Sequence, residues 1–521
     1  MFGGFTAFAL GLLGALAASR LGAQEPPSAE SFGASIDVRV VNVEAVVTDG
    51  KGRRVRGLSA GDLRLLVDGR ETPIEYFTEV EEGKASAAGP AAGPGEPAAP
   101  QTPVAAGEEV ERNYLLYIDE SFAVGSLRDS FLEKLARDLT RLAPGDRMAV
   151  LAGDGSRVEI LSGWTGDHAA LAAALERARR RPAGGNQQIA YQRSLQNDVD
   201  LLFENDIGDG DPSRFGNIMA EEMAALSLRS NPQSLSGLVK SAPAIASALR
   251  GFEAPPGRKV MLLVSAAWSL RVAPGLYRGM IEAANQLGYT VYPVDAAQAA
   301  PYEIMAFDHL AAATGGRAVL SSARAPFREV VEDSGSYYWL GFTPEWKADD
   351  RRHQVTVEVR RPGLVERARA GFADVSKQTL NAMKAESVLV FGSLGSGSAG
   401  SGRRLAVQMG ESMPVGLGKV QVDLTLDIPF ESLTLKQTPE GYVAEVLLAM
   451  ISKDETGRRA DQPRASLKTT LPGLPAAHST ARFHVTVRFR DVRQRLVLTV
   501  EDPVSGSSLW GEAEYAPQTP P

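Results

Sequence analysis

Residues 113–123 run Asn-Tyr-Leu-Leu-Tyr-Ile-Asp-Glu-Ser-Phe-Ala, and residues 259–265 run Lys-Val-Met-Leu-Leu-Val-Ser. Each holds an unbroken apolar run that ends on a small polar side chain. A strand with one solvated face alternates, whereas a strand covered on both faces is apolar throughout. Helical spacing flanks both runs. Leu127, Phe131, Leu135, Leu139 and Leu142 recur at helical intervals before Pro144-Gly145-Asp146, and Asp167–Arg181 places Leu171 and Leu175 inward. After residue 265 the pattern predicts a helix over Gly275–Leu287, a strand over Thr290–Val294, a helix over Ile304–Thr314 and a strand over Ala318–Leu320. Strands alternating with helices predict a doubly wound α/β fold with a mostly parallel sheet, here over residues 111–335.

Outward from this region the period changes to two. Ile36, Val38 and Val40 alternate with polar residues, then the phase slips to Val41, Val43, Ala45 and Val47, as a β-bulge would produce. Leu63, Leu65 and Val67 alternate before Asp68-Gly69, a hairpin signal, and Ile74–Val80 adds a further strand. A module of residues 35–80 is too small for a comfortable core of its own. Strands at Tyr337–Phe342, Gln354–Arg360 and Arg367–Phe372 follow the α/β region within residues 336–375, so the two segments are expected to pair into one β-sandwich that carries the α/β region as an insertion. Between them, residues 81–110 are dominated by Ala, Gly and Pro and read as a disordered linker. Residues 380–515 alternate over Val420–Ile428, Tyr442–Met450, Phe483–Phe489 and Leu496–Val500, the pattern of an antiparallel β domain. The chain therefore reads as multidomain, α/β with flanking antiparallel β-sandwich modules.

Composition narrows the functional classes. The 521 residues carry a formal net charge of −8, which speaks against a nucleic-acid partner held by bulk positive field. Cysteine is absent, so there is neither a disulfide framework nor thiolate chemistry. Phe5–Ala18 is apolar and of signal-peptide length, with small residues Gly22 and Ala23 after it. Cleavage after Ala23 predicts an exported protein, periplasmic or extracellular. A retained N-terminal anchor is the alternative, and no later stretch has the length of a membrane span.

Chemistry should gather beyond the carboxyl ends of the parallel strands. There the first strand gives Asp119-Glu120-Ser121, a carboxylate and a hydroxyl two residues apart, the hard oxygen ligands that Mg²⁺ or Ca²⁺ takes. The acidic loop Asn205–Asp211 has Ile207 at a ligand position and no glutamate at its twelfth, so it reads as solvated loop. Gly395–Gly400 matches G-x-G-x-x-G but precedes a strand-like segment rather than a helix, and reads as flexible loop. Arg482, Arg488, Arg490, Arg493 and Arg495 form a basic cluster, several of them explained by the solvated face of a strand over 482–490, with an anionic surface as the alternative partner. His168, His309, His353, His478 and His484 show no metal-ligand spacing, and no residues pair a nucleophile with a base. A hydrolase within the C-terminal region is the enzymatic alternative.

Four stretches are more specific. They are Val41–Asp49 with Gly52-Arg53; Gly57-Leu58 through Asp62-Leu63 to Val67-Asp68-Gly69; Tyr337-Tyr338-Trp339-Leu340-Gly341-Phe342-Thr343-Pro344; and Val357-Glu358-Val359-Arg360-Arg361-Pro362-Gly363. With the α/β region they resemble a family of exported bacterial proteins, known chiefly from acidobacterial genomes, related to von Willebrand factor type A domains. The resemblance implies a protein-interaction or adhesion role and a metal-ion-dependent adhesion site beginning Asp-x-Ser-x-Ser. Carried over residue by residue, Asp119 and Ser121 match that motif, while Ala123 replaces its second serine. Asn186 stands at the family's threonine, and no carboxylate follows Ser265 where an aspartate is expected. The site is thus expected to be degenerate and to hold no Mg²⁺ or Ca²⁺, with Glu120 or Asp295 the substitutes if a metal is held after all. No other cofactor is implied. The expectation is a non-enzymatic exported protein that meets a protein partner of the cell envelope or extracellular space through Glu120, Phe122, Asn186, Ser265 and Trp268.

Overall fold

The structure is a computed structural model that describes residues 40–86, 107–155, 157–186, 232–265, 274–296, 301–391, 403–455, 458–461, 464–476 and 478–517. Residues 40–517 belong to one compact unit. The chain enters it through β1 (Val41–Asp49), β2 (Leu63–Val67), β3 (Arg70–Thr72), β4 (Tyr76–Glu81) and β5 (Lys84–Ala85). The strand expected before residue 40, against which the phase slip is read, falls outside the described residues. The expected linker over 81–110 is ordered at both ends, since β4 continues to Glu81 and Lys84 bridges to Glu109. Its middle, residues 87–106, lies outside the described residues.

The α/β region is a six-stranded sheet of β6 (Arg112–Asp119), β7 (Arg147–Gly153), β8 (Val158–Thr165), β9 (Arg258–Ser265), β10 (Tyr289–Asp295) and β11 (Val319–Leu320). Their order is β11-β10-β9-β6-β7-β8, parallel except for the β7–β8 hairpin at one edge. Among the described residues six helices cover it: α1 (Gly125–Asp138), α2 (His168–Arg179), α3 (Pro232–Gly251), α4 (Pro274–Leu287), α5 (Pro301–Ala313) and α6 (Pro326–Gly335). The continuous apolar runs now have their reason. Leu115, Tyr117, Met261 and Leu263 pack with residues of α3, α4 and α5, while Tyr114, Leu116, Ile118, Leu262 and Val264 pack with residues of α1, α2 and α6. Connectivity reverses between β6 and β9, and that is where a doubly wound sheet opens a crevice.

After α6 the chain returns to the first strands. β12 (Tyr337–Phe342), β13 (Arg352–Val359), β14 (Leu364–Arg367) and β15 (Gly371–Ala373) complete two sheets, β14-β1-β12-β4-β5 and β15-β13-β2-β3. Each sheet takes strands from both sides of the α/β region, and one core holds them together, with Val43, Leu65, Phe77, Leu340, Val357 and Phe372 among its members. The strand expected over 367–372 is two short ones on different sheets. Asp333, near the end of α6, fastens this sandwich to the α/β sheet. It accepts from Arg54 at 3.1 Å, Arg367 at 2.6 Å and the Tyr292 hydroxyl at 2.7 Å.

The C-terminal part begins with α7 (Lys377–Phe391), a helix in a stretch read as wholly β. Ser376 caps it by accepting the Thr379 N–H at 3.1 Å. Beyond it lie β16 (Arg403–Arg404), β17 (Ala406–Gly416), β18 (Lys419–Pro429), β19 (Lys436–Thr438), β20 (Gly441–Asp454), β21 (Arg459–Asp461), β22 (Ala465–Leu471), β23 (Thr480–Arg490), β24 (Gln494–Glu501) and β25 (Ser508–Tyr515). The sheets β16-β25-β24-β20-β19, with β21 and β22 also on β20, and β17-β18-β23 share one apolar core. α7 lays Ala385, Val388 and Leu389 against Ala449, Ile451, Val497 and Trp510 of the larger sheet. Its Glu386 pairs with Arg250 of α3 at 2.6 Å, so the helix ties the C-terminal sandwich to the α/β region. Among the described residues no helix is long and apolar enough to cross a membrane.

Candidate functional site

β6 and β9 are the two central strands, and their carboxyl ends place Asp119 beside Ser265. Asp119 is completely buried. The Ser265 hydroxyl donates to its Oδ2 at 2.7 Å and the Ser121 N–H to its Oδ1 at 3.1 Å. The backbone ties the surrounding loop to its neighbours. Val124 N–H donates to the Ala296 carbonyl at 2.8 Å, joining the loop to the end of β10, and Gly184 N–H donates to the Glu120 carbonyl at 2.7 Å. That approach needs glycine at both Gly184 and Gly185. A Cβ on Gly184 would lie 2.7 Å from the Ser121 carbonyl oxygen, and one on Gly185 would lie 2.6 Å from the Ala123 carbonyl carbon.

Burial pushes the Asp119 carboxyl up to about 6, against the Ser265 and Ser241 hydroxyls and the Ser121 and Phe122 amides, which hold it down. Ser241, from α3, gives the weaker help: its buried hydroxyl forms no hydrogen bond of normal geometry. The crevice at the switch point is thus closed by a carboxyl group and the hydroxyl that answers it.

The expected site residues fare unequally. Ser121 is turned away, its hydroxyl donating at 2.9 Å to the Asp154 carbonyl in the β7–β8 turn. Glu120 is buried and paired with Arg181, which also meets Glu159 at 2.5 Å, so it is neither a presented loop residue nor a spare metal ligand. Phe122 and Ser265 are buried as well, the first in the core and the second against Asp119. Both were expected on a binding surface. Asn186 is exposed at the rim, and Trp268 lies outside the described residues. Asp295 is buried at the end of β10.

These positions do not fit the divalent ion of an adhesion site. Asp119 already accepts at both oxygens, Ser121 points elsewhere, and Ala123 has no donor. Among the described residues no group of three or more histidine, aspartate or glutamate side chains could hold a metal. The Asn205–Asp211 and Gly395–Gly400 loops lie outside the described residues.

Sequence reasoning missed the supports of this loop. Arg128 is buried on α1 and caps the end of α2, donating to the carbonyls of Arg179, Arg181 and Pro182 at 3.0 Å. Its signal was present, a charged residue in the apolar stripe that carries Phe131, Leu132 and Leu135. Four of the five arginines clustered at β23 and β24 are held by carboxylates of the fold. Arg482 pairs with Asp427 at 2.7 Å, Arg490 with Asp454 at 2.6 Å and Arg495 with Glu512 at 2.6 Å, while Arg493 lies 3.7 Å from Glu455.

No protein-family model matches the chain, and no curated protein matches it. Solved structures similar to parts of it include these two. The crystal structure of the SpRpn10 VWA domain is 9% identical with a TM-score of 0.19, over 43% of this chain and 93% of that one. The X-ray structure of the structural-genomics target SoR45 is 11% identical with a TM-score of 0.16, over 23% of this chain and 90% of that one. Likenesses this slight leave the weight on the strand order and the side chains themselves.

Proposed function

We propose that this chain is an exported, non-enzymatic interaction protein. Its α/β region, ordered like a von Willebrand factor type A domain, offers the loops at the carboxyl ends of its strands to a protein partner, without a bridging metal. One observation carries the reading: the Ser265 hydroxyl bonded to buried Asp119 at 2.7 Å, at the switch point of the sheet. A cation-bridged contact needs that carboxylate open to the partner, and here it faces a serine. What remains for recognition is the rim, Ser121, Asp154 and exposed Asn186. Export rests on the apolar leader over Phe5–Ala18, and the acidobacterial type on the four N- and C-flanking stretches.

The experiment is capture of envelope proteins on the immobilised full chain, with and without chelator. Capture unchanged by chelator and lost in Asn186→Arg supports the reading. Titration heats with Mg²⁺ or Mn²⁺ that vanish in Asp119→Asn would overturn it.

A further inference from the structure

The far end of the C-terminal sandwich breaks a rule of turn chemistry. β17 and β18 are joined by Leu417 and Gly418, with Gly416 opposite Lys419. Leu417 has φ of 52° and Gly418 of 63°, so both turn residues are left-handed, as a type I′ turn requires. Asn-Gly is the usual choice there, because a branched aliphatic side chain is strained at positive φ. Leu417 gains nothing in packing to offset this, being 98% exposed. Local rules broken without a folding benefit mark functional positions.

Leu417 is not alone. Met413 and Val415 on β17 are exposed, and so is Val492 in the neighbouring β23–β24 turn. The two turns are joined by the Asp491 N–H donating to the Gly418 carbonyl at 2.9 Å. A Cβ on Gly416 or Gly418 would meet nothing within 4 Å, so this end projects as a convex knob. Cations stand beside it. Lys419 faces Arg490 across β18 and β23, and Gln421 faces Arg488. Arg490 is held by Asp454, whereas Arg488 donates to the Gln421 side chain at 2.9 Å. Lys419 and Arg488 meet no carboxylate among the described residues. Strand addition at the β17 edge is blocked by Pro414 and by register shifts at Met409/Ser412 and Pro414/Gly416. The side chains, not the backbone, are what this end offers.

We propose that the knob docks on the surface of an anionic bilayer, with Leu417, Met413, Val415 and Val492 entering the interface and Lys419 and Arg488 lying at the headgroups. A convex apolar tip needs a complementary groove in a protein but none in a lipid interface. The net charge of −8 would repel the whole chain from an anionic surface, so the cations beside the tip set the orientation. Few apolar groups and few charges give weak, reversible, salt-sensitive attachment. This site is independent of the loops on the α/β region.

The test is co-sedimentation of the full chain with phosphatidylcholine vesicles that do or do not contain phosphatidylglycerol. Binding is expected only with phosphatidylglycerol and falls as salt rises. Leu417→Asn suits the turn better, so its midpoint temperature should equal or exceed the parent's while vesicle binding weakens about tenfold. Lys419→Glu with Arg488→Glu should abolish binding. A parent chain that does not sediment, equal sedimentation of Leu417→Asn, or equal binding to pure phosphatidylcholine would each overturn the proposal. Leu417-dependent capture of a soluble protein with no vesicle binding would overturn it too.

Discussion

Ser265 at the end of β9 donates its hydroxyl to Asp119 at the end of β6, across 2.7 Å and 146 residues of chain. The bond spans the point where strand order reverses, the usual ligand crevice of such sheets. A completely buried carboxyl group at that point is costly when ionised, and the hydrogen bonds donated to it offset only part of that cost.

The first prediction follows from that cost. Burial raises the folded carboxyl to about 6, against 3.8 in the unfolded chain. Between these values the folded state binds the proton more tightly, so stability falls as pH rises from about 4 to 6 and is level above that. Asp119→Asn should flatten this slope and gain up to ~3 kcal/mol at neutral pH. Urea unfolding at several pH values checks it, and a parent curve that rises from pH 4 to 6 in the same proportion would refute it.

Gly185 is the second. Gly185→Ala drives a methyl group into the Ala123 backbone, so it should cost about 1–3 kcal/mol and expose Asp119. Gly50→Ala, with nothing within 4 Å of its Cβ, is the control and should cost little. Denaturant midpoints of the two variants decide.

Asp333 tests how the sandwich is fastened. Arg54 and Arg367 keep side-chain exposures of 24% and 23% at this carboxylate. Asp333→Ala would leave both without a counter-charge, at roughly 2–4 kcal/mol, less than for a fully buried pair. Burial raises this carboxyl, but Arg367 and Arg54 outweigh it and hold it below its usual value. Its stabilisation is therefore present above about pH 4 and lost as pH falls further. Parent and variant melting curves should converge in acid.

A fourth prediction concerns the first strands. β1 lies between β12 and β14, and β2 pairs with β13 as well as β3, so both lean on strands from beyond the α/β region. Residues 41–86 expressed alone should show no cooperative melt and no dispersed amide spectrum, whereas a folded fragment would contradict the shared core.

Much of the architecture was legible because burial leaves a mark on every residue. β6 and β9 are apolar on both faces since helices cover both, and the helices between them carry the spacing of one buried stripe. α7 was not legible. Ala385, Val388 and Leu389 face the C-terminal sheet, while Ser387 and Phe391 pack at Gly251, the end of α3, and Phe252 just after it. A helix squeezed between two partners has no clean polar face, so its period is blurred.

For the site, the chain by itself determined which residues stand at the strand ends, and that these include Ala123 and Ser265. Local sequence carries that information because strand ends and side-chain chemistry are local properties. Only the tertiary structure decided that Ser265 answers Asp119, that Arg181 claims Glu120, and that Phe122 faces inward. Those outcomes depend on which distant backbones meet, and side-chain partners across 60 or more residues are set by packing rather than by spacing.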